Sequence, residues 1–212
     1  MAGDDPRWDV LRWSEYRSMP WKNGGGTTRE VASGAVQASL PTTPSKEPAD
    51  GFDWRVSVAD VDAGGSFSPF PGIDRVITPV EGEGMVLTVN GTPQPVGPLS
   101  PFAFSGDAAT DCRLEAGPVR NMNVMTRRGR ATAHVRIISV GATREAEMAS
   151  EIACAAGETL LVMAATEGIT VGGPDGRETV LGRLDCVRHE GPGALTLRGD
   201  GTVAGIRIAA AF

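Results

Sequence analysis

Three stretches of this 212-residue chain set polar side chains among apolar ones in ordered surroundings, two of them at spacings that put those side chains on one face of a strand. Phe52-Asp53-Trp54-Arg55-Val56-Ser57-Val58-Ala59 alternates cleanly. Phe52, Trp54, Val56 and Val58 share one face of such a strand, and Arg55 and Ser57 share the other. Asn121, Asn123 and Met125 fall on one face in the same way. Phe67-Ser68-Pro69-Phe70-Pro71-Gly72-Ile73-Asp74-Arg75 is well specified for a loop, with two aromatics, two prolines and an Asp-Arg pair leading into a strand. An arginine in such apolar, ordered surroundings needs an anion, because an unpaired buried charge is very costly. Its planar fork suits a carboxylate, binding both oxygens at once. Each charged hydrogen bond of that kind is worth roughly 1.5–3 kcal/mol net. The anion is either internal, with Asp74, Asp107 or Glu30 in that role, or it is a ligand. The pattern leaves both open.

Other chemistries find little support. The two histidines, His134 and His189, are far apart, so closely spaced imidazole ligands are excluded, as is a three-His catalytic zinc within one chain. Cys112, Cys154 and Cys186 form no CxxC pair and suggest neither a disulfide framework nor a zinc site. There is no GxSxG nucleophile elbow. The paired carboxylates Asp60/Asp62 and Glu81/Glu83 stand at strand ends or turns, where solvated surface roles are expected. The run Trp21-Lys22-Asn23-Gly24-Gly25-Gly26-Thr27-Thr28-Arg29-Glu30 is glycine-rich, but it lacks the Lys-Ser/Thr of a P-loop and the GxGxxG of a dinucleotide fold. It reads either as a tight turn before a strand or as a ligand-contacting loop.

The elements that must position these residues are short strands between Gly and Pro punctuation. Strands are expected at Arg75–Val80 and Met85–Val89, joined by Glu81-Gly82-Glu83-Gly84. Asn90-Gly91 then supplies the dipeptide best suited to a type I′ hairpin. Further strands are expected at 122–126, 135–140, 159–164, 169–171, 179–181, 194–197 and 203–209, with a hairpin turn at Pro174-Asp175-Gly176. The best helical stretch is the Glu-, Ala- and Met-rich segment from Thr143 to Ile152. Residues 36–50 read as a surface loop. Many short strands with close turn signals predict a sandwich or barrel. A seam near Arg127-Arg128-Gly129-Arg130 suggests two similar halves.

A net charge of −6 and a pI near 5.0 argue against nucleic acid and against an anionic membrane surface as partners. Eighteen of the twenty cationic side chains are arginine, which reads mainly as codon bias. No signal peptide and no bilayer-spanning apolar run is seen, so a cytoplasmic location is expected.

The same segments together resemble the HutD/Ves family of bacterial proteins. The resemblance rests on 19–30, 52–59, 65–75, the 81–84 turn, Phe102-Ala103-Phe104-Ser105-Gly106-Asp107 and 117–128. It implies an all-β, cupin-like barrel, with two barrel halves in one chain that lack the usual metal-binding histidines of cupins. In this reading residues 1–212 form a single compact unit, with a first half over 14–130 and a second, strand-rich half over 131–212. It also implies a binder or regulator of a pathway acid in histidine utilisation, for which N-formylglutamate is a candidate, or a stress-related role. The family pattern leads one to expect Asp where Asn121 stands.

The resulting expectation is a binding protein that uses no metal or other cofactor and holds a small anionic metabolite. Arg55 and Arg75 would clamp a carboxylate. Asn23, Ser57, Ser68 and Asn123 would orient it, and Trp21, Phe70 and Phe104 would form an apolar wall. Two alternatives stand beside it: a cofactor-free isomerase or lyase using Asp74, Asp107 or Glu30 as base, and an interaction module with a vestigial cavity. Exposed barrel edges leave room for a homodimer.

Overall fold

Period-two alternation interrupted every few residues by Gly, Pro or Asn produces short antiparallel strands, and strands make up almost the whole of the structure. This computed structural model describes residues 7–21, 25–36, 51–141 and 151–211. The described residues form two compact units: Arg17–Thr132, and Ala133–Ala210 together with the residues up to Tyr16.

The Arg17–Thr132 unit holds two sheets. Its six-stranded sheet runs β2 (Arg17–Pro20), β3 (Gly26–Gly34), β4 (Trp54–Val61), β11 (Val119–Arg127), β6 (Ile73–Glu81) and β9 (Phe102–Ser105). The four-stranded sheet runs β5 (Gly65–Ser66), β10 (Thr110–Arg113), β7 (Met85–Val89) and β8 (Thr92–Val96). One apolar cluster joins them, taking Val61, Ile77, Phe104 and Val119 from the larger sheet and Met85, Leu87, Val96 and Cys112 from the smaller. Each such fully buried side chain contributes about 1.5–3 kcal/mol relative to exposure. Shared burial between two sheets closes the unit into a cupin-like barrel.

The other unit repeats the plan. A five-stranded sheet runs β1 (Arg7–Leu11), β17 (Cys186–Glu190), β14 (Thr159–Ala164), β19 (Gly201–Ala210) and β12 (Ala131–Val140). Opposite it lie β13 (Glu151–Cys154), β18 (Gly193–Gly199), β15 (Ile169–Gly172) and β16 (Glu178–Leu181). Leu160, Val162 and Val187 of the first sheet meet Val171, Leu195 and Leu197 of the second in one core. The N-terminal strand β1 therefore completes the sheet formed by the C-terminal half of the chain, with Trp8 opposite His189.

The turn chemistry follows the sequence. Asn90 and Gly91 take φ of 47° and 80° between β7 and β8, as a type I′ hairpin requires, and Gly176 takes φ 79° between β15 and β16. The helix expected over Thr143–Ile152 lies outside the described residues as far as 150, and its last two residues begin strand β13 instead. The 36–50 loop lies outside them from residue 37 onward. No helix among the described residues is long and apolar enough to cross a membrane.

Candidate functional site

The pairing of β3, β4, β11, β6 and β9 turns three separate sequence motifs into rows of side chains. Ser33 stands opposite Arg55, Arg55 opposite Met125, Met125 opposite Arg75, and Arg75 opposite Phe104. In the next row Glu30, Ser57, Asn123 and Ile77 follow one another, and beyond it Thr28, Ala59, Asn121 and Pro79. Directly opposed residues share a face of a sheet, so these rows line the inside of the barrel. From these rows Thr28, Arg55, Ser57, Ala59, Arg75, Asn121, Asn123 and Met125 border a cavity of about 520 Å³, within the range of small-molecule sites.

Seven of the expected site residues border this cavity: Trp21, Arg55, Ser57, Ser68, Phe70, Arg75 and Asn123. Phe104 stands behind Arg75, with the guanidinium carbon 4.9 Å from its ring centre. Asn23 lies outside the described residues. The cavity is also bordered by Thr28, Ala59, Ser66, Phe67, Asn121 and Met125, which were not expected as site residues, and by Met19 and Pro20.

Arg75 is 6% exposed, and no carboxylate among the described residues comes within ion-pair distance of it. Its Nε–H is buried without an acceptor. Three rings surround the guanidinium instead: Phe67 at 5.4 Å, Phe70 at 5.2 Å and Phe104 at 4.9 Å. Aromatic faces attract a cation but do not replace its hydrogen bonds. Burial pulls the Arg75 guanidinium well below its ordinary value, to about 10, so it stays charged at neutral pH.

The three carboxylates that could have paired with Arg75 are engaged elsewhere. Arg128 donates to Asp74 at 2.7 Å and to Asp107 at 3.0 Å, on the exposed surface. The Gly72 amide and Arg128 hold the Asp107 carboxyl below the usual carboxylate range. Glu30 lies with Oε2 3.0 Å from Arg55 Nε. That contact is an ion pair rather than a well-directed hydrogen bond, since the Arg55 Nε–H has no acceptor in line. The expected two-arginine clamp is thus uneven: Arg55 has an internal counter-ion and Arg75 has none.

The neutral groups of the cavity are partly satisfied. Trp21 Nε1 donates to Thr28 Oγ1 at 2.7 Å, and the Trp21 ring meets Phe67 edge-on. Asn121, 2% exposed, reaches the Ala59 carbonyl at 3.5 Å. Asn123 Oδ1 is buried and accepts no hydrogen bond.

One expectation is corrected near the rim. Asp60 and Glu81 are not solvated surface groups but half-buried members of an ion-pair network. Asp60 accepts from both Arg29 and Arg120, and Arg120 also reaches Glu81 at 2.7 Å. Burial pushes the Asp60 carboxyl up, but the two guanidinium hydrogen bonds outweigh it and hold the group below its ordinary 3.8. Gly26 explains part of the glycine run. A Cβ there would stand 2.2 Å from the Asp60 carbonyl oxygen, so this strand passes its neighbour too closely for a side chain.

Other reactive groups stand away from the cavity. His189 is fully buried and His134 exposed, and neither borders it. The three thiols are buried, and burial pushes Cys112 and Cys154 up to about 11. No group of three His, Cys, Asp or Glu side chains among the described residues is placed to hold a metal ion.

Known proteins share this sequence and architecture. A protein of 21.2 kDa from the hutC 3′ region of Pseudomonas putida, itself uncharacterised, is 39% identical over 184 residues, 86% of each chain. Protein Ves of Citrobacter koseri is 37% identical over 132 residues, 60% of this chain and 63% of Ves. A solved structure of HutD from Pseudomonas fluorescens in a formate condition superposes with a TM-score of 0.76 at 32% identity, over 97% of this chain and all of that one. Ylba from E. coli shares the fold alone, with a TM-score of 0.66 at 8% identity over 96% of this chain and 90% of that one. The HutD family pattern matches residues 13–205, and the chain belongs to the HutD family.

Proposed function

We propose that this chain binds a small carboxylate-bearing metabolite in the cavity of its Arg17–Thr132 unit, and that it acts as a metabolite-responsive regulator rather than by turning the ligand over. The observation that carries this reading is Arg75, a charged, buried guanidinium that borders a 520 Å³ cavity and has no counter-ion among the described residues. A chain retains so costly a charge where something supplies the missing anion. Arg55, Ser57, Ser68, Asn121 and Asn123 offer further donors around the same space. Phe67, Phe70 and Trp21 give it an apolar wall.

A binding role is favoured over an isomerase or lyase because the bordering side chains among the described residues include no carboxylate, imidazole or thiol. The nearby Glu30 is occupied by Arg55. The open cavity also counts against an interaction module whose barrel is filled by its own side chains. Membership of the HutD family makes acids of histidine utilisation the first candidates, N-formylglutamate and urocanate among them.

The test is a thermal-shift screen against formate, acetate, glutamate, histidine, urocanate and N-formylglutamate, with and without EDTA. A ligand at a hundred times its Kd stabilises by about 2.7 kcal/mol, a shift of roughly 5–10 °C for a chain of this size. One acid giving such a shift regardless of EDTA supports the proposal. A flat panel counts against it.

A further inference from the structure

Accepting that the cavity binds a carboxylate, we propose that Glu30 sets its charge selectivity, so that the site takes acids with a single carboxylate and a neutral hydrogen-bonding tail, as in urocanate, and disfavours dicarboxylates, N-formylglutamate among them. Among the described residues two cations border the cavity, but Glu30 neutralises one of them. Glu30 is held at both ends of its carboxylate: Oε2 lies 3.0 Å from Arg55 Nε, and Oε1 accepts the Ser33 hydroxyl at 3.0 Å.

This clasp depends on an irregularity in β3. Glu30 stands opposite Ser57, Ala32 opposite Val56 and Ser33 opposite Arg55, with the register shift falling between Glu30 and Ala32. In a regular strand, residues three apart point to opposite faces. The extra residue, Val31, instead brings Glu30 and Ser33 to the same face, with Ser33 opposite Arg55 and Glu30 opposite Ser57. Bulges commonly re-aim a side chain in this way.

Among the described residues one positive charge, on Arg75, is left for the ligand. A single carboxylate neutralises it. A second carboxylate must either displace Glu30 from Arg55 or be buried without a partner, and both are costly. The other described polar groups around the cavity are neutral, and the buried Asn123 Oδ1 lacks a donor. That acceptor attracts an N–H or O–H on the ligand and repels an ionised oxygen.

The test compares two acids with the same skeleton, glutarate and its half-amide glutaramate, by calorimetric titration of the full chain. The native protein should bind glutaramate at least about tenfold more tightly, the factor expected for one unpaired charge. In Glu30→Gln, which frees Arg55, glutarate should gain about tenfold while glutaramate changes little. Ser33→Ala, which releases one end of the clasp, should shift the ratio the same way by less, and it serves if Glu30→Gln does not fold. Equal or tighter glutarate binding by the native protein overturns the selectivity while leaving the cavity a carboxylate site. So does an unchanged ratio in both variants. If neither acid binds the native protein or Glu30→Gln, the carboxylate-binding reading itself fails, and this inference with it.

Discussion

Arg55 and Arg75 stand in one row across the six-stranded sheet, separated by Met125, which pairs with both, yet only Arg55 meets a carboxylate among the described residues. Two strand spacings put their backbones about 10 Å apart, so a small acid can lie between them over the Met125 side chain. The pair is alike in sequence and unlike in electrostatics. That asymmetry gives the cavity its direction, with the uncompensated charge at Arg75.

If Arg75 is retained for a ligand, it contributes little to the free protein. Arg75→Met removes a desolvated charge, keeps an apolar stem among Phe67, Phe70 and Phe104, and gives up their cation–π contacts, worth about 0.5–2 kcal/mol. Without ligand, its stability to urea should be unchanged or higher by up to about 2 kcal/mol. A loss of more than about 2 kcal/mol would mean that Arg75 holds the fold together.

Binding should be insensitive to pH across the neutral range. A carboxylate ligand is ionised above about pH 5. Arg75, with its folded value lowered to about 10, is charged below that value and loses its proton as pH rises through it. Calorimetric affinities should therefore be flat from about pH 6 to 9 and fall towards pH 10 and above. A step near pH 6.5 would instead implicate a histidine.

The Asp60 network predicts an acid limit. The folded carboxyl titrates below its ordinary 3.8, so its contribution to stability is full above that value and is lost as pH falls through the lower folded one. Unfolding free energy should decline below about pH 4, and Asp60→Asn should flatten that decline. At pH 7 the same variant should be destabilised by on the order of 1 kcal/mol, as befits half-exposed pairs.

Gly26 tests the close passage of β3 against β4. A methyl group 2.2 Å from the Asp60 carbonyl oxygen forces backbone to move, because nothing flexible can yield there. Gly26→Ala should cost about 1–3 kcal/mol, the usual range for overpacking. Since the Trp21 amide donates to the Gly26 carbonyl at 2.9 Å, ligand affinity should fall as well. Unfolding and titration of the one variant read both effects.

Much of the barrel was legible because alternation and turn residues are local signals. The Phe52–Ala59 pattern and the Asn90-Gly91 turn each needed fewer than ten residues to read. Arg75 and two of the rings around it were legible too, since Phe70 and Arg75 share one motif and Phe104 lies in another, but the role of Phe67 was not. The face that Asn121 and Met125 share with Asn123 was legible, but that they and Thr28 reach the cavity was not, because cross-strand register, which long-range pairing sets, brings them there. The same limit hid the Asp60 network, whose arginines lie 31 and 60 residues away in sequence. The pairing of Glu30 with Arg55, and hence the isolation of Arg75, depends on a strand irregularity that no residue pattern announces.

The most direct test of the central claim is a side-by-side calorimetric titration of the native chain and Arg75→Met with the acid that gives the largest thermal shift. A buried charge pair removed on one side costs about 3–5 kcal/mol, so affinity should fall at least a hundredfold in a variant that remains folded. Equal affinities for the two proteins would contradict the account, because the anion would then be held somewhere other than at Arg75.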